Sequence, residues 1–167
     1  MNKGYDIIIP VFNEKKIIEL FDYLFENIKY CNNIFICYDL DEDISIKLIN
    51  QSKYKNIEKI KLLKNPLDGP CEAIKYGLNE SKSEAAIVYP ADDFFNGKIL
   101  DTMYDLSKKG YDIVCPSRFI KGGLIKNCPL IKFLIVKCVS ISLYYFSTLK
   151  IKDPTNGFRL FSHKVLK

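Results

Sequence analysis

Asp92 and Asp93 stand just past an unbroken apolar run, Ala85-Ala86-Ile87-Val88-Tyr89, that stops at Pro90. Adjacent carboxylates in such a place can grip a divalent cation, and a hard cation is what a diphosphate needs to be held and to depart. The same two residues are equally suited to shaping a turn or capping the helix that follows. Other acids repeat the arrangement. Asp39, Asp41, Glu42 and Asp43 follow the apolar stretch Asn33 to Tyr38, and Glu14 follows Tyr5 to Val11. Cations gather elsewhere. From Ile113 to Lys152 the chain carries Arg118, Lys121, Lys126, Lys132, Lys137, Lys150 and Lys152 and no acid. Against a net charge of +5, that leaves the remainder mildly acidic, and a basic, apolar third suggests an anionic partner.

Five apolar residues halted by proline are too few for a globular helix and read as a strand buried on both faces. The carboxylates then sit at its carboxyl end, on the side where open α/β sheets bind ligands. Tyr5 to Val11 and Asn33 to Tyr38 read as further central strands. Ile57 to Leu63 alternates in part, as an edge strand does, and Tyr111 to Pro116 is the next strand. Between them lie helices. Asn13 can cap one from about Glu14 to Lys29, with Ile17, Ile18, Phe21, Leu24, Phe25 and Ile28 at helical spacing and Glu14 complementing its dipole. Ile44 to Gln51 is a second. A third starts at Pro70 and turns Ala73, Ile74, Gly77 and Leu78 inward, Gly77 permitting close packing. A fourth, capped by Asn96, buries Ile99, Leu100, Met103 and Leu106 and closes at Gly110. Strands alternating with helices over short connections predict an α/β fold with a mostly parallel, Rossmann-like sheet flanked by helices.

The totals narrow the function. At 167 residues, 48% hydrophobic and 27% charged, the chain fits one globular domain. Six scattered cysteines without a CxxC pair read as reduced, buried thiols in a cytosolic protein and give no zinc site. A single histidine, His163, argues against a Ser/His or Cys/His nucleophile and a multi-histidine metal site. The apolar core of the amino terminus is too short for a signal peptide. Pro129 to Leu149 is apolar nearly all round, yet its longest charge-free run, Cys138 to Leu149, falls short of the about 20 residues of a spanning helix. It reads either as a helix packed on the domain or as one on a membrane interface, with Lys132 and Lys137 snorkelling. Those lysines are interleaved with aliphatics and match no nucleic-acid module, so nucleic acid is not expected as a partner.

Taken together, IIIPVFNE (Ile7 to Glu14), YDLDED (Tyr38 to Asp43), NPLDGPCEAIKYGL (Asn65 to Leu78), PADD (Pro90 to Asp93), SRFIKGG (Ser117 to Gly123) and DPTNGFRLF (Asp153 to Phe161) resemble the family 2 glycosyltransferases of the GT-A fold. Within them, the order is similar to that of the dolichyl- or polyprenyl-phosphate sugar transferases. The resemblance implies a single GT-A domain over 1–167, with 1–116 binding the nucleotide sugar and 117–167 binding the acceptor. Pro10, Phe12, Glu14 and Asp39 would line the nucleotide. Asp92, with Asp93 beside it, would hold Mg²⁺ or Mn²⁺, although Pro90 replaces the first acid of the family's Asp-x-Asp and Leu40 a frequent second Asp. Asp92, Arg118 and Arg159 would be the catalytic residues, and Arg118, Lys132 and Arg159 would cradle the acceptor phosphate. Relatives continue past the last residue here, so a carboxyl-terminal truncation is expected.

The resemblance thus implies a metal-dependent, inverting hexosyltransferase on the cytoplasmic face of a membrane, moving a sugar from a nucleoside-diphosphate donor to a polyprenyl phosphate. Such an acceptor arrives ionised, since its second pKa is about 6, and needs a cationic cradle rather than a general base. Two alternatives stay open: a saccharide or protein hydroxyl as acceptor, and a degenerate nucleotide-sugar-binding module without turnover.

Overall fold

Ile7, Ile8 and Ile9 are fully buried in succession because β1 (Asn2–Pro10) runs between β2 (Cys31–Tyr38) and β4 (Ser83–Val88), parallel to both. A central strand covered on both faces has no wet side, and each such isoleucine contributes about 1.5–3 kcal/mol. The computed structural model of the chain describes residues 2–120, 123, 129–146 and 151–166. β3 (Ile60–Lys64) pairs parallel with β2 at the sheet edge, which explains its wetter face. β5 (Ile113–Val114) and β6 (Arg159–Ser162) are antiparallel to each other and complete the order β3-β2-β1-β4-β6-β5. The expected strand Tyr111 to Pro116 is thus reduced to two residues at the far edge, where Tyr111 and Ile113 stay exposed.

The helices are α1 (Ile17–Asn27), α2 (Ile44–Asn50), α3 (Pro70–Glu80), α4 (Leu100–Lys108) and α5 (Leu130–Phe146). α3 covers one face of the sheet through Ala73, Ile74 and Leu78, against Ile8, Phe35, Cys37, Ala86 and Val88. Residues of opposite parity point the other way, where the Tyr5 ring meets Tyr104 of α4 at 5.6 Å. α1 begins three residues later than expected, because Asn13 is not its cap. Asn13 adopts φ 55° and offers its side-chain oxygen to Ile44 N at the start of α2 instead.

The chain divides into two compact units, Met1–Val114 with Leu160–Lys167, and Cys115–Arg159. The second unit contains α5, on which Leu130, Ile131, Leu134, Ile135, Tyr145 and Phe146 are all at least half exposed. Among the described residues no helix is long and apolar enough to cross a membrane. Cys31 and Cys37 are buried, and burial pushes both thiols up to about 12. Cys71 and Cys138 are exposed, which corrects the expectation of uniformly buried thiols. Cys71 is the second residue of α3, and Cys138 lies midway along α5. Lys121, Lys126, Cys128, Lys150, the 147–149 end of the expected apolar helix and the Lys132 side chain lie outside the described residues.

Gly77 is where α3 comes closest to the sheet. A Cβ there would stand 2.5 Å from Ile8 Cγ2 and 2.7 Å from Cys37 Sγ, both in the packed core. Alanine should therefore destabilise the protein despite its better helix propensity. Gly77→Ala is expected to lower the unfolding free energy by about 1–3 kcal/mol in urea denaturation.

Candidate functional site

Four parallel strands, β3, β2, β1 and β4, end along one edge of the sheet, and the chain reverses its direction of strand addition between β1 and β4. Loops diverge at such a reversal and leave a crevice. Pro10 closes β1 opposite Cys37, and the loop after it exposes Phe12 to 71%. Three hydrogen bonds stitch that loop to the start of α2. Asn13 N donates to Asp43 Oδ2 at 2.9 Å, Glu14 N to Ser45 Oγ at 2.8 Å, and Ile44 N to Asn13 Oδ1 at 3.2 Å. Buried Asp43 also accepts from Ser45 N at 2.7 Å as the α2 cap. Glu14 is half-buried and among the described residues its carboxylate accepts one local bond, from Lys16 N.

Asp39 follows β2 directly. Its carboxylate accepts from Asn65 Nδ2 at 2.8 Å and from Gly69 N at 3.0 Å, tying the end of β2 to the loop between β3 and α3. Gly69 sits at φ 104°, a conformation that suits glycine and that presents its N–H to Asp39 before Pro70 opens the helix. A carboxylate has about four acceptor positions, so Asp39 retains capacity for a ligand hydroxyl.

Beyond β4, Asp93 N donates to Pro90 O, making a turn with Ala91 and Asp92 at its middle. Asp93 then holds the next bend: Oδ1 accepts from Phe95 N and Asn96 N, each at 2.9 Å, and Oδ2 from Asn96 Nδ2 at 2.6 Å. From below, the fully buried Tyr89 donates its hydroxyl to Asp93 O at 2.7 Å. Burial and the neighbouring Asp93 push that phenol far above its usual range, so it stays a donor. Tyr23 Oη accepts from Gly97 N at 3.0 Å and fixes the far end of the loop. Asp92 is exposed and makes no hydrogen bond among the described residues. The two neighbouring acids therefore differ: Asp93 is built into the loop, and Asp92 projects from it.

Phe12, Glu14, Asp39 and Asp92 thus stand on three neighbouring strand ends. Two strand spacings, about 10 Å, separate the β2 and β4 ends across β1. Ser45, Asn65 and Tyr89, which help hold these residues in place, were given no role from sequence, and Asp43 was read only as one of a run of acids; the Asp-x-Ser spacing of Asp43 and Ser45 is the signal that could have marked a cap. Among the described residues no group of three or more His, Cys, Asp or Glu side chains could hold a metal by itself. A single available carboxylate still fits Mg²⁺ or Mn²⁺ of the kind that is completed by substrate phosphates and water.

In the second unit, Arg118 and Asp153 form a paired fork. Nε and Nη2 of Arg118 reach Asp153 Oδ2 and Oδ1 at 2.7 and 2.8 Å, and Nη2 also reaches Thr155 Oγ1 at 2.9 Å. Arg159 donates from Nε to Asn156 O at 2.8 Å and from Nη2 to Pro154 O. Both guanidinium groups are thus engaged with the DPTNG turn. Asp153 is fully buried, which by itself would raise its carboxyl, but the hydrogen bonds and charge of Arg118 outweigh burial and hold it below its ordinary 3.8.

The family model for glycosyl transferase family 2 matches residues 6–167. The chain belongs to that family. A dolichol-phosphate mannosyltransferase of Pyrococcus furiosus is 26% identical over 156 residues, covering 91% of this family 2 chain and 44% of the relative. The chain therefore spans less than half the length of that curated relative. Among solved structures, glucosyl-3-phosphoglycerate synthase from Mycobacterium tuberculosis, in complex with Mn²⁺, UDP and phosphoglyceric acid, aligns with a TM-score of 0.67 at 12% identity, over 97% of this chain and 56% of that one. TarS 1–349 of S. aureus aligns with a TM-score of 0.56 at 18% identity, over 71% and 40%. At these identities the likeness is one of fold, and the fold is GT-A.

The division of labour between the acids is measurable in the purified chain. Asp93→Ala should cost about 1–2 kcal/mol in urea denaturation, whereas Asp92→Asn should stay within about 0.5 kcal/mol of the parent. Asp153→Asn should cost about 2–4 kcal/mol at neutral pH by removing the charge that Arg118 faces. Because the folded pKa of Asp153 is depressed, its contribution is complete above 3.8 and is lost as pH falls through the lower folded value. The gap in urea midpoint between parent and Asp153→Asn should accordingly be full at pH 7 and narrow below about pH 4.

Proposed function

We propose that the chain is the catalytic part of an inverting, metal-dependent glycosyltransferase that takes a sugar from a nucleoside diphosphate and passes it to a polyprenyl phosphate. In this reading the larger unit binds the donor and the smaller one serves the acceptor. The observation that carries it is the contrast between Asp92, exposed and unbonded, and Asp93, Asp39 and Asp43, which brace the loops around it.

Phe12 would offer its exposed ring to the base, with Pro10 setting the strand end and Asp39 and Glu14 taking ribose or base donors. Asp92 would contribute one carboxylate to Mg²⁺ or Mn²⁺ on the diphosphate. That ion supplies charge neutralisation of the leaving group when bound. The fixed turn keeps Asp92 from reorganising as charge develops. Support for the donor comes from the structural relatives solved with UDP, and for the metal from the Mn²⁺ complexes among them.

Support for a lipid phosphate acceptor comes from the named Pyrococcus furiosus relative, from the basic composition of the smaller unit and from the exposed apolar residues of α5. The same residues make a membrane surface the natural place for the reaction. A hydroxyl acceptor would need a base, and Asp153, the acid that lies between Gly123 and Lys167, is committed to Arg118. A binding module without turnover remains the competing reading because Pro90 occupies the first acid position.

Calorimetry against UDP-, GDP- and CDP-sugars with and without Mg²⁺ or Mn²⁺, followed by a transfer assay with a short polyprenyl phosphate, decides between them. One nucleotide sugar is expected to bind in a metal-enhanced manner, and Asp92→Asn should reduce transfer by about 100-fold or more while the fold is retained. Metal-independent binding with no transfer would establish the binding module instead.

A further inference from the structure

Tyr89 closes the apolar run that begins at Ala85, and it is fully buried. A phenylalanine would fill nearly the same volume, whereas a buried phenol costs free energy unless its hydroxyl finds a partner. That partner is Asp93 O, at 2.7 Å. The residue is itself fixed at its backbone, because Tyr89 N donates to Ile8 O at 2.9 Å and so carries the pairing of β4 with β1 one step further.

Tyr23 takes hold of the same loop from another layer. It lies on α1, and its hydroxyl accepts from Gly97 N at 3.0 Å. The two residues are in close contact, since a Cβ on Gly97 would stand 2.8 Å from Tyr23 Cε1. Between these anchors the Asp93 side chain makes the connection by accepting from Phe95 N and Asn96 N, and Asn96 directly precedes Gly97. A continuous series of bonds thus runs from the central sheet through Tyr89, Asp93 and Asn96 to Gly97 and α1. Asp92 stands beside that series, exposed and without a hydrogen bond among the described residues. No side chain orients its carboxylate, so its place is set by the backbone on which it sits. A functional group held about 1 Å too loosely loses much of its effect, and a lone carboxylate has no second acid to make up the loss.

We infer that Tyr89 and Tyr23 are positioning residues: acting through Asp93 and Gly97, their hydroxyls hold the turn that presents Asp92, and the gain in nucleoside-diphosphate affinity on adding a divalent ion depends on both. The inference rests on the donor and metal reading above and extends it to two phenols that touch neither ligand. Partners that orient a metal-binding side chain from outside commonly account for 10- to 100-fold in metal affinity, by roughly that order of magnitude.

The experiment is calorimetric titration of the complete 167-residue chain with UDP, GDP and CDP, each without and with Mn²⁺, repeated for Tyr89→Phe, Tyr23→Phe, Asp92→Asn and Tyr104→Phe. Tyr104 is the control, because its hydroxyl also bridges two elements, accepting from Gly4 N and donating to Glu84, but at the amino ends of β1 and β4. Thermal melting verifies that each variant folds, and the partly exposed Tyr23 keeps the test open if Tyr89→Phe does not. For the diphosphate that binds the parent, each of the two phenylalanine variants should lower the Mn²⁺ enhancement by about tenfold, toward the value left in Asp92→Asn. Affinity without the ion should stay within about twofold of the parent, and Tyr104→Phe should change neither quantity. Each tyrosine stands or falls on its own variant: an unchanged enhancement, or an equal loss with and without Mn²⁺, overturns its positioning role. A drop in enhancement of the same size in Tyr104→Phe overturns both. No enhancement in the parent with any of the three diphosphates would remove the metal reading and this inference with it, whereas a parental enhancement that both variants retain removes the inference alone.

Discussion

An ionised carboxylate that accepts from backbone N–H groups satisfies donors that an irregular loop would otherwise leave to water, and it fixes the shape of that loop. Asp43 does this between β1 and β2, Asp39 between β2 and β3, and Asp93 after β4. Three successive loops at one rim of the sheet are therefore held by the same chemistry. The consequence for the site is selective. Asp39, Asp43 and Asp93 are consumed in holding the rim together, and the exposed Asp92 is presented by a frame that Tyr89 and Tyr23 brace from below.

Much of this frame could be read from residue order. The apolar runs ending at Pro10, Tyr38 and Pro90 became parallel strands because runs too short for helices and buried on both faces have few other solutions. Gly77 was legible for the same reason, since a glycine in the inner stripe of a helix signals close approach. What sequence could not separate was Asp92 from Asp93. They share a side chain and differ by one position, and only the direction of the backbone turn decides which carboxylate faces the loop's own N–H groups. Asn13 was misassigned for a related cause: its cap bond goes to a helix 31 residues away rather than to the one that follows it.

Arg118 and Arg159 have a structural use that residue order does not display. An arginine in a motif reads as an anion ligand, yet the planar fork that suits phosphate suits the Asp153 carboxylate equally well. Once Asp153 is buried, its charge must be answered locally, and Arg118 is the partner that answers it. Among the described residues of the same unit, Lys137 and Lys152 form no ion pair, and their positions look unremarkable in a lysine-rich sequence.

Pro90 bears most directly on how the proposed site would handle its ion. The proline ring holds φ near −65°, and its carbonyl accepts from Asp93 N, so the residue stiffens the turn that presents Asp92 where an aspartate would add charge to it. A second acid there would repel Asp92 and Asp93 in the empty protein and would draw a cation in to relieve that repulsion. In the proposed reading, proline would leave the empty site less strained and its grip on a free ion weaker. Mg²⁺ is commonly held by one or two carboxylates together with substrate phosphates, so a single carboxylate lowers affinity for the bare ion without changing the kind of coordination. In the proposed reading, the metal and the diphosphate therefore arrive as one ligand, and the rigidity of the Pro90 turn compensates for the missing charge by leaving Asp92 little freedom to lose.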